Sequence, residues 1–429
     1  MREMKNSGVA WIGEIPFDWS LIRFKDKFVS KKEVAGEKSS EYERLALTLN
    51  GVIKRPKDDS EGLQPKEFDG YQILRENDFV FKMIDLQNIS TSRVGLSPYT
   101  GLVSPAYIKF SPRTKGQNNK FVYYYLMSLY YNCVYNNLGG NGVRSALNAK
   151  DMGEFVIPYP NETVQAQISA LLDVKSAHID TLIANQETQI EKLKQYKQSL
   201  ITEVVTKGLN PDVEMKDSTI NYIDVFPSHW ENRKMLSILS MRVIDGPHES
   251  PELLDEGVPY ISATAIENGK IDFQKMRGYI SEEYCNECDK RYKPQINDIL
   301  VIKLGASTGQ VAIVETDMRF NIWVPLAVVR CNEFAVPKFV YYAFQSDYFI
   351  KQMEQSWTYG TQQTLGVKTI ERLRILLPEC KEQQEIVSYL DEQCVKIDKL
   401  IEIKQSKIAK LNEYKKSLIY EYVTGKKEV

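Results

Sequence analysis

Leu172-Asp173, Ile179-Asp180-Thr181-Leu182-Ile183, Ile190, Leu193, Tyr196-Lys197 and Ser199-Leu200-Ile201 return later in the chain. Their counterparts are Leu390-Asp391, Ile397-Asp398-Lys399-Leu400-Ile401, Ile408, Leu411, Tyr414-Lys415 and Ser417-Leu418-Ile419. Residues 166–206 align without a gap on 384–424, a shift of 218, and 18 of the 41 pairs are identical. The opening also repeats: Met4-Lys5-Asn6-Ser7 through Ile15-Pro16 to Trp19 matches Met215-Lys216-Asp217-Ser218 through Phe226-Pro227 to Trp230, at a shift of 211. The shift is already 218 at Phe121-Val122-Tyr123-Tyr124 and Phe339-Val340-Tyr341-Tyr342, so the second half carries a net insertion of seven residues before that point. Two such copies are far longer than the 20–50-residue units of solenoids. They predict a pseudo-two-fold molecule in which a variable domain, a shared helix, a second variable domain and a second shared helix follow one another.

The repeated stretches read as helices. Ile168, Leu172, Ile179, Leu182, Ile190, Leu193 and Leu200 form a near-heptad stripe, matched by Ile386, Leu390, Ile397, Leu400, Ile408, Leu411 and Leu418. Glu, Lys and Gln fill the other faces, Pro160 and Pro378 precede the starts, and no Gly interrupts before Gly208 and Gly425. A helix of about 40 residues is roughly 60 Å long, and so narrow a stripe cannot be buried by one helix alone. The simplest partner is the other copy, as an antiparallel coiled coil with the variable domains at opposite ends of a rod. Parallel pairing with helices of other chains is the alternative.

Between these helices the sequence alternates short apolar runs with turn residues, as in Asp78-Phe79-Val80-Phe81-Lys82 and Asp298-Ile299-Leu300-Val301-Ile302-Lys303. That pattern predicts α+β domains. The fold class expected is therefore α+β, two similar globular domains separated by two long antiparallel helices. The divisions fall at 1–160, 161–209, 210–378 and 379–429. The tyrosine-rich run from Phe121 to Tyr135 reads as a buried helix.

The net charge of −2 does not suggest a nucleic-acid binder, but its distribution is uneven. Between residues 86 and 150 there is no Asp or Glu, while Arg93, Lys109, Arg113, Lys115, Lys120, Arg144 and Lys150 supply seven positive charges. Such a block suits phosphate contacts. The second half lacks this bias. Two loops occupy equivalent positions: Gly139-Gly140-Asn141-Gly142-Val143-Arg144-Ser145 and Trp357-Thr358-Tyr359-Gly360-Thr361-Gln362-Gln363. Glycine permits close backbone approach, and Arg, Asn and Gln can contact base edges bidentately. The candidate DNA contacts are Arg93, Lys115, Lys120, Asn141 and Arg144 in the first domain, and Lys303, Gln362, Gln363 and Lys368 in the second.

Catalytic signatures fail. No Asn-Pro-Pro-Phe or Asp-Pro-Pro-Tyr tetrapeptide is present, and Leu304-Gly305-Ala306-Ser307-Thr308-Gly309-Gln310 lacks the Lys-Ser/Thr of a phosphate loop. Pro211-Asp212-Val213-Glu214-Met215-Lys216 has its acids too close together for a two-strand nuclease site. Cys285-Asn286-Glu287-Cys288 has no second ligand pair, so no metal is expected. His178, His229 and His248 are isolated. No apolar run reaches membrane length and no secretory signal opens the chain, so a reduced, cytoplasmic protein is expected.

Nearly the whole chain resembles the specificity (S) subunits of type I restriction-modification systems. The most specific pieces are Trp11-Ile12-Gly13-Glu14-Ile15-Pro16-Phe17-Asp18-Trp19 with its echo at residues 222–230, the two repeated helices, Gly101-Leu102-Val103-Ser104-Pro105-Ala106-Tyr107, and the turn Asp245-Gly246-Pro247-His248. The echo at 222–230 lacks the Gly-Glu pair. The resemblance implies two target recognition domains, each reading one half of a split, asymmetric site in double-stranded DNA. The helices would act as a ruler and dock two modification subunits, which carry S-adenosylmethionine. Two restriction subunits would add ATP- and Mg-dependent translocation and cleavage. The chain itself would bind no cofactor and hold no active site. The competing reading is a coiled-coil scaffold or assembly protein without DNA specificity.

Overall fold

Two uninterrupted helices, Glu162–Lys207 and Cys380–Val423, occupy the repeated stretches. Each begins just after its proline, where a glutamine side chain takes up the proline carbonyl: Gln165 Nε2 donates to Pro160 O and Gln383 Nε2 to Pro378 O, both at 2.8 Å. The first helix ends at Gly208, whose φ of +75° suits glycine and whose N–H closes the last turn on Val204 O at 3.0 Å. The computed structural model describes residues 2–49, 51–59, 67–84, 86, 93–114, 117–138, 146–359 and 362–429.

The chain forms two compact units, Met1–Gln186 with Gln405–Val429, and Glu187–Lys404. In the first, Phe28–Val29, Ile108–Pro112, Phe79–Phe81 and Val94–Leu96 make an antiparallel sheet in that order. A second sheet runs Gly51–Arg55, Arg44–Thr48, Gly101–Val103 and Gln72–Leu74, with Leu102 parallel to Arg44. The second unit repeats the plan. Ile244–Asp245, Leu326–Val329, Ile299–Ile302 and Val311–Ile313 form the antiparallel sheet, and Gly278–Ile280, Val258–Ile261 and Asn321–Ile322 form the other, with Tyr260 parallel to Asn321.

Local chemistry repeats with the topology. Asn77 (φ 65°) and Asn297 (φ 73°) take the left-handed corner before the central strand, a conformation asparagine tolerates. The next residue caps each turn: Asp78 Oδ2 accepts from Arg75 N at 2.9 Å and Asp298 Oδ2 from Gln295 N at 2.8 Å. Both aspartates are buried. Each faces a cation from the adjacent strand or its end, with Lys109 Nζ 3.5 Å from Asp78 and Arg330 Nε 2.7 Å from Asp298.

Each unit completes its core with parts of both long helices. In the first, Trp19, Phe24, Phe79, Phe121 and Tyr125 pack with Ile168, Leu172 and Ile179 from the first helix and Leu418, Ile419, Tyr422 and Val423 from the second. In the second, Trp230, Met235, Phe339 and Tyr348 pack with Leu200, Ile201, Val204 and Val205 and with Ile386, Leu390 and Ile397. Early residues of one helix thus meet late residues of the other within each unit, which makes the pairing antiparallel. Lys415 Nζ bonds the Asp180 carboxylate (2.7 Å) in the first unit, and Lys197 Nζ bonds Asp398 (2.8 Å) in the second.

The stripe needs one correction. Leu400 is 47% exposed, and Leu182 is only half-buried. Ile183 and Ile401 pack against the cores instead. At 100° per residue, a side chain four positions after Ile179 or Ile397 lies about 40° from it, and one three positions after lies about 60° away. Ile190 is buried, and Leu193, Ile408 and Leu411 are half-buried. The run from Phe121 to Tyr135 is not one helix: Lys120–Tyr131 is helical, with Phe121, Val122, Tyr125, Leu126 and Leu129 buried, Cys133 turns the chain at φ +54°, and Val134–Leu138 forms a second short helix.

Candidate nucleic-acid interface

The central strand of each antiparallel sheet ends beside the residues that follow, along the chain, the loop that the sequence singles out. In the second unit Leu304 bridges Thr364, and Leu365 N donates to Lys303 O at 2.8 Å. In the first unit Ile84 bridges Ala146, and Leu147 N donates to Met83 O at 3.2 Å. Ala146-Leu147 and Thr364-Leu365, 218 positions apart, therefore occupy the same place in the two units. In the second unit the loop is a small hairpin in which Thr358 pairs with Thr364 and Tyr359 with Gln363.

The candidate contacts divide sharply by surroundings. Gln362 is exposed at the hairpin, and Lys368 is exposed on the short helix Val367–Arg372 that follows it. Gln363 is half-buried, and its carbonyl accepts from Gly305 N at 3.1 Å, so its backbone fastens the neighbouring turn. Lys115, Asn141 and Arg144 lie outside the described residues.

Two of the expected contacts are buried, and a third is paired on the surface. Arg93 is 1% exposed, so its guanidinium belongs to the interior of the first unit. The Lys303 side chain is 9% exposed, and its ammonium sits 2.9 Å from Asp245 Oδ2. Burial pushes the Asp245 carboxyl up, but Lys303, Arg291 and His248 outweigh it and hold it below the usual carboxylate range. Lys303 thus neutralises an inner carboxylate. Lys120 is on the surface but is paired with Asp173 of the long helix. Much of the acid-free block is likewise committed: Lys109 is buried and donates to Ile73 O at 2.8 Å, and Arg113 Nε donates to Lys25 O at 2.9 Å. A run counted along the sequence omits the acids that folding brings to it.

The Lys120 pair belongs to a clamp that charge counting missed. Asp173 accepts from Tyr124 Oη at 2.7 Å as well as from Lys120. Its repeat, Asp391, accepts from Tyr342 Oη at 2.6 Å and pairs with Lys338 Nζ at 2.9 Å. Burial, then the carboxylate, holds the Tyr342 phenol protonated far above its ordinary range. The identical Leu-Asp pairs at 172–173 and 390–391 were the available signal.

Among the described residues, no group of three or more His, Cys, Asp or Glu is arranged to hold a metal ion. Cys285 and Cys288 are both buried on the helix Glu282–Arg291, and burial pushes their thiols up. Among the same residues no helix is long and apolar enough to cross a membrane.

The family model described as type I restriction modification DNA specificity domain matches residues 27–193 and 227–424. The chain is similar to the type I restriction enzyme EcoBI specificity subunit of Escherichia coli, at 25% identity over 316 residues, covering 72% of this chain and 65% of that one. It is also similar to the MjaVIII specificity subunit of Methanocaldococcus jannaschii, at 24% identity over 421 residues, covering 96% and 93%. A solved chain from work on complex assembly and conformational transition of the type I R-M system shares the fold, with a TM-score of 0.66 at 14% identity over 95% of this chain and 98% of that one. With the family model matching two segments, one in each half of the duplicated sequence, the chain belongs to the type I restriction modification DNA specificity family.

Proposed function

We propose that this chain is the DNA-reading subunit of a type I restriction-modification assembly, each unit reading one half of a bipartite, asymmetric site. The observation that carries the reading is that one scaffold occurs twice, with Ala146 and Thr364 bridged to the same strand end, while the sequences leading into them, 139–145 and 357–363, differ. Two copies of one scaffold read two different sequences when their equivalent loops differ, because base discrimination resides in the side chains that reach base edges. The paired helices set the spacer between the half-sites and dock two modification subunits. Two restriction subunits join them in the cytoplasm.

The chain supplies specificity and no chemistry. S-adenosylmethionine serves the modification subunits, and ATP with Mg serves the restriction subunits. The test is methylome sequencing of cells carrying the operon with and without this chain. Adenine methylation at one bipartite motif should vanish without it, and the purified chain should transfer no methyl group. Methylation that persists in its absence, or methyl transfer by the chain alone, refutes the reading.

A further inference from the structure

The Gly-rich turn between Ile299–Ile302 and Val311–Ile313 has no part in the function above, yet it is fastened to the hairpin that does. Gly305 N donates to Gln363 O at 3.1 Å, and Thr308 Oγ1 reaches Gly305 O at 2.7 Å and Gln363 O at 3.3 Å. Gly305 (φ +95°) and Gly309 (φ +94°) make corners that a side chain would strain. The buried Lys303–Asp245 pair pins the base of the turn. The exposed side chains on this frame include Ala306 and Gln310 on the turn and Gln362 on the hairpin. Neither glutamine amide bonds another described residue.

The first unit has the same seat with other contents. Its connection between Phe79–Phe81 and Val94–Leu96 spans residues 82–93, twelve residues against the eight of 303–310. It is written Lys82-Met83-Ile84-Asp85-Leu86-Gln87-Asn88-Ile89-Ser90-Thr91-Ser92-Arg93. The hairpin connection therefore varies between the halves as the second loop does, at a place where the surrounding strands repeat.

We infer that the turn 303–310 and the hairpin beside it form one composite reader of the second half-site, with Gln310 and Gln362 as its base-reading side chains; this rests on the DNA-reading function proposed above. A glutamine amide offers a donor and an acceptor side by side, the arrangement that matches adenine N6 and N7 in the major groove. The backbone bonds between the two loops fix their spacing before DNA arrives, so less ordering cost falls on binding.

The chain assembled with its modification subunits, as wild type and as Gln310→Ala and Gln362→Ala, is used to select from a duplex pool randomised across the site. Both side chains are exposed, and an unchanged thermal melt verifies that the variants are folded. Each variant should lose selection at one or two base positions by roughly ten- to a hundred-fold. Those positions should fall in the same half-site for both, and the other half-site should stay as sharp as in wild type. Full selectivity in Gln310→Ala, or equal relaxation of both half-sites, removes the turn from the reader while wild type still discriminates. A wild-type assembly that selects no sequence overturns the DNA-reading function itself.

Discussion

Replacing Asp391 by alanine tests how the second unit is held to its helix. The carboxylate accepts the Tyr342 hydroxyl at 2.6 Å and pairs with Lys338 at 2.9 Å. Tyr342 is 5% exposed, so its hydroxyl has little access to water once the acceptor is gone. A buried donor left without an acceptor costs about 1–3 kcal/mol. The ion pair, with both side chains about one-third exposed, adds at most about 1 kcal/mol. The loss expected is therefore about 2–3 kcal/mol, which lowers the melting temperature by roughly 5–10 °C for a unit of this size. Tyr342→Phe removes the donor and leaves a carboxylate that keeps Lys338 and solvent, so it should cost less, about 1–2 kcal/mol. Thermal melts of the two single variants and the double variant close a double-mutant cycle, in which the double should be scarcely worse than Asp391→Ala alone. Additive losses, or a cost for Asp391→Ala below about 0.5 kcal/mol, refute the clamp. The twin change Asp173→Ala should be milder, because Tyr124 is only half-buried.

The helix register gives a second contrast. Ile397→Ala should cost about 2–5 kcal/mol, whereas Leu400→Ala should stay within about 0.5 kcal/mol, and similar denaturant midpoints for the two would restore the simple heptad. Lys303→Ala should destabilise the second unit by about 1–3 kcal/mol, since Asp245 loses its buried partner but keeps Arg291 at 2.8 Å. Lys368→Ala should leave the melt alone and lower the salt slope of DNA binding by about one; the reverse pattern would return Lys303 to the interface. Tyr124, Tyr131, Tyr292 and Tyr342 have phenols raised first by burial. Their contribution is complete below the ordinary tyrosine pKa of about 10 and is lost as pH rises above it, by up to about 1.4 kcal/mol per pH unit for each tyrosine. A urea midpoint that stays flat from about pH 9 to pH 11 would contradict this. A fragment ending after Gly208 should form a two-fold dimer, its Leu200, Ile201, Val204 and Val205 standing in for Leu418, Ile419, Tyr422 and Val423 of a second copy. Light scattering that finds a folded monomer refutes it.

The duplication was legible because it is written in identities: Ile168 and Ile386, Asp180 and Asp398, Lys197 and Lys415 keep both type and spacing, and all serve the helix pair. The equivalence of Ala146-Leu147 and Thr364-Leu365, which follow the two loops, was legible by the same shift. What failed was the assignment of individual cations. Arg93, Lys109 and Lys303 look like surface charge in a row of letters, and the acids facing Lys109 and Lys303 are 31 and 58 positions away, at Asp78 and Asp245. Whether a lysine meets phosphate or carboxylate depends on such distant neighbours, and periodicity carries no information about them. The choice between Leu400 and Ile401 failed on a smaller scale, since a 3.5-residue stripe and a 3.6-residue helix drift apart within a few turns.

The distribution of the chain between its two cores dictates an order of birth. The second unit is one continuous stretch, Glu187–Lys404, and has all its parts as soon as that stretch leaves the ribosome. The first begins with Met1 but needs Leu418, Ile419, Tyr422 and Val423 to close its core. At about 5–20 residues per second, roughly 10–50 s of synthesis separate its last early residue from its late helix. The half of the protein made first is thus the half that finishes last, and during that wait its unclosed apolar face is a target for chaperones.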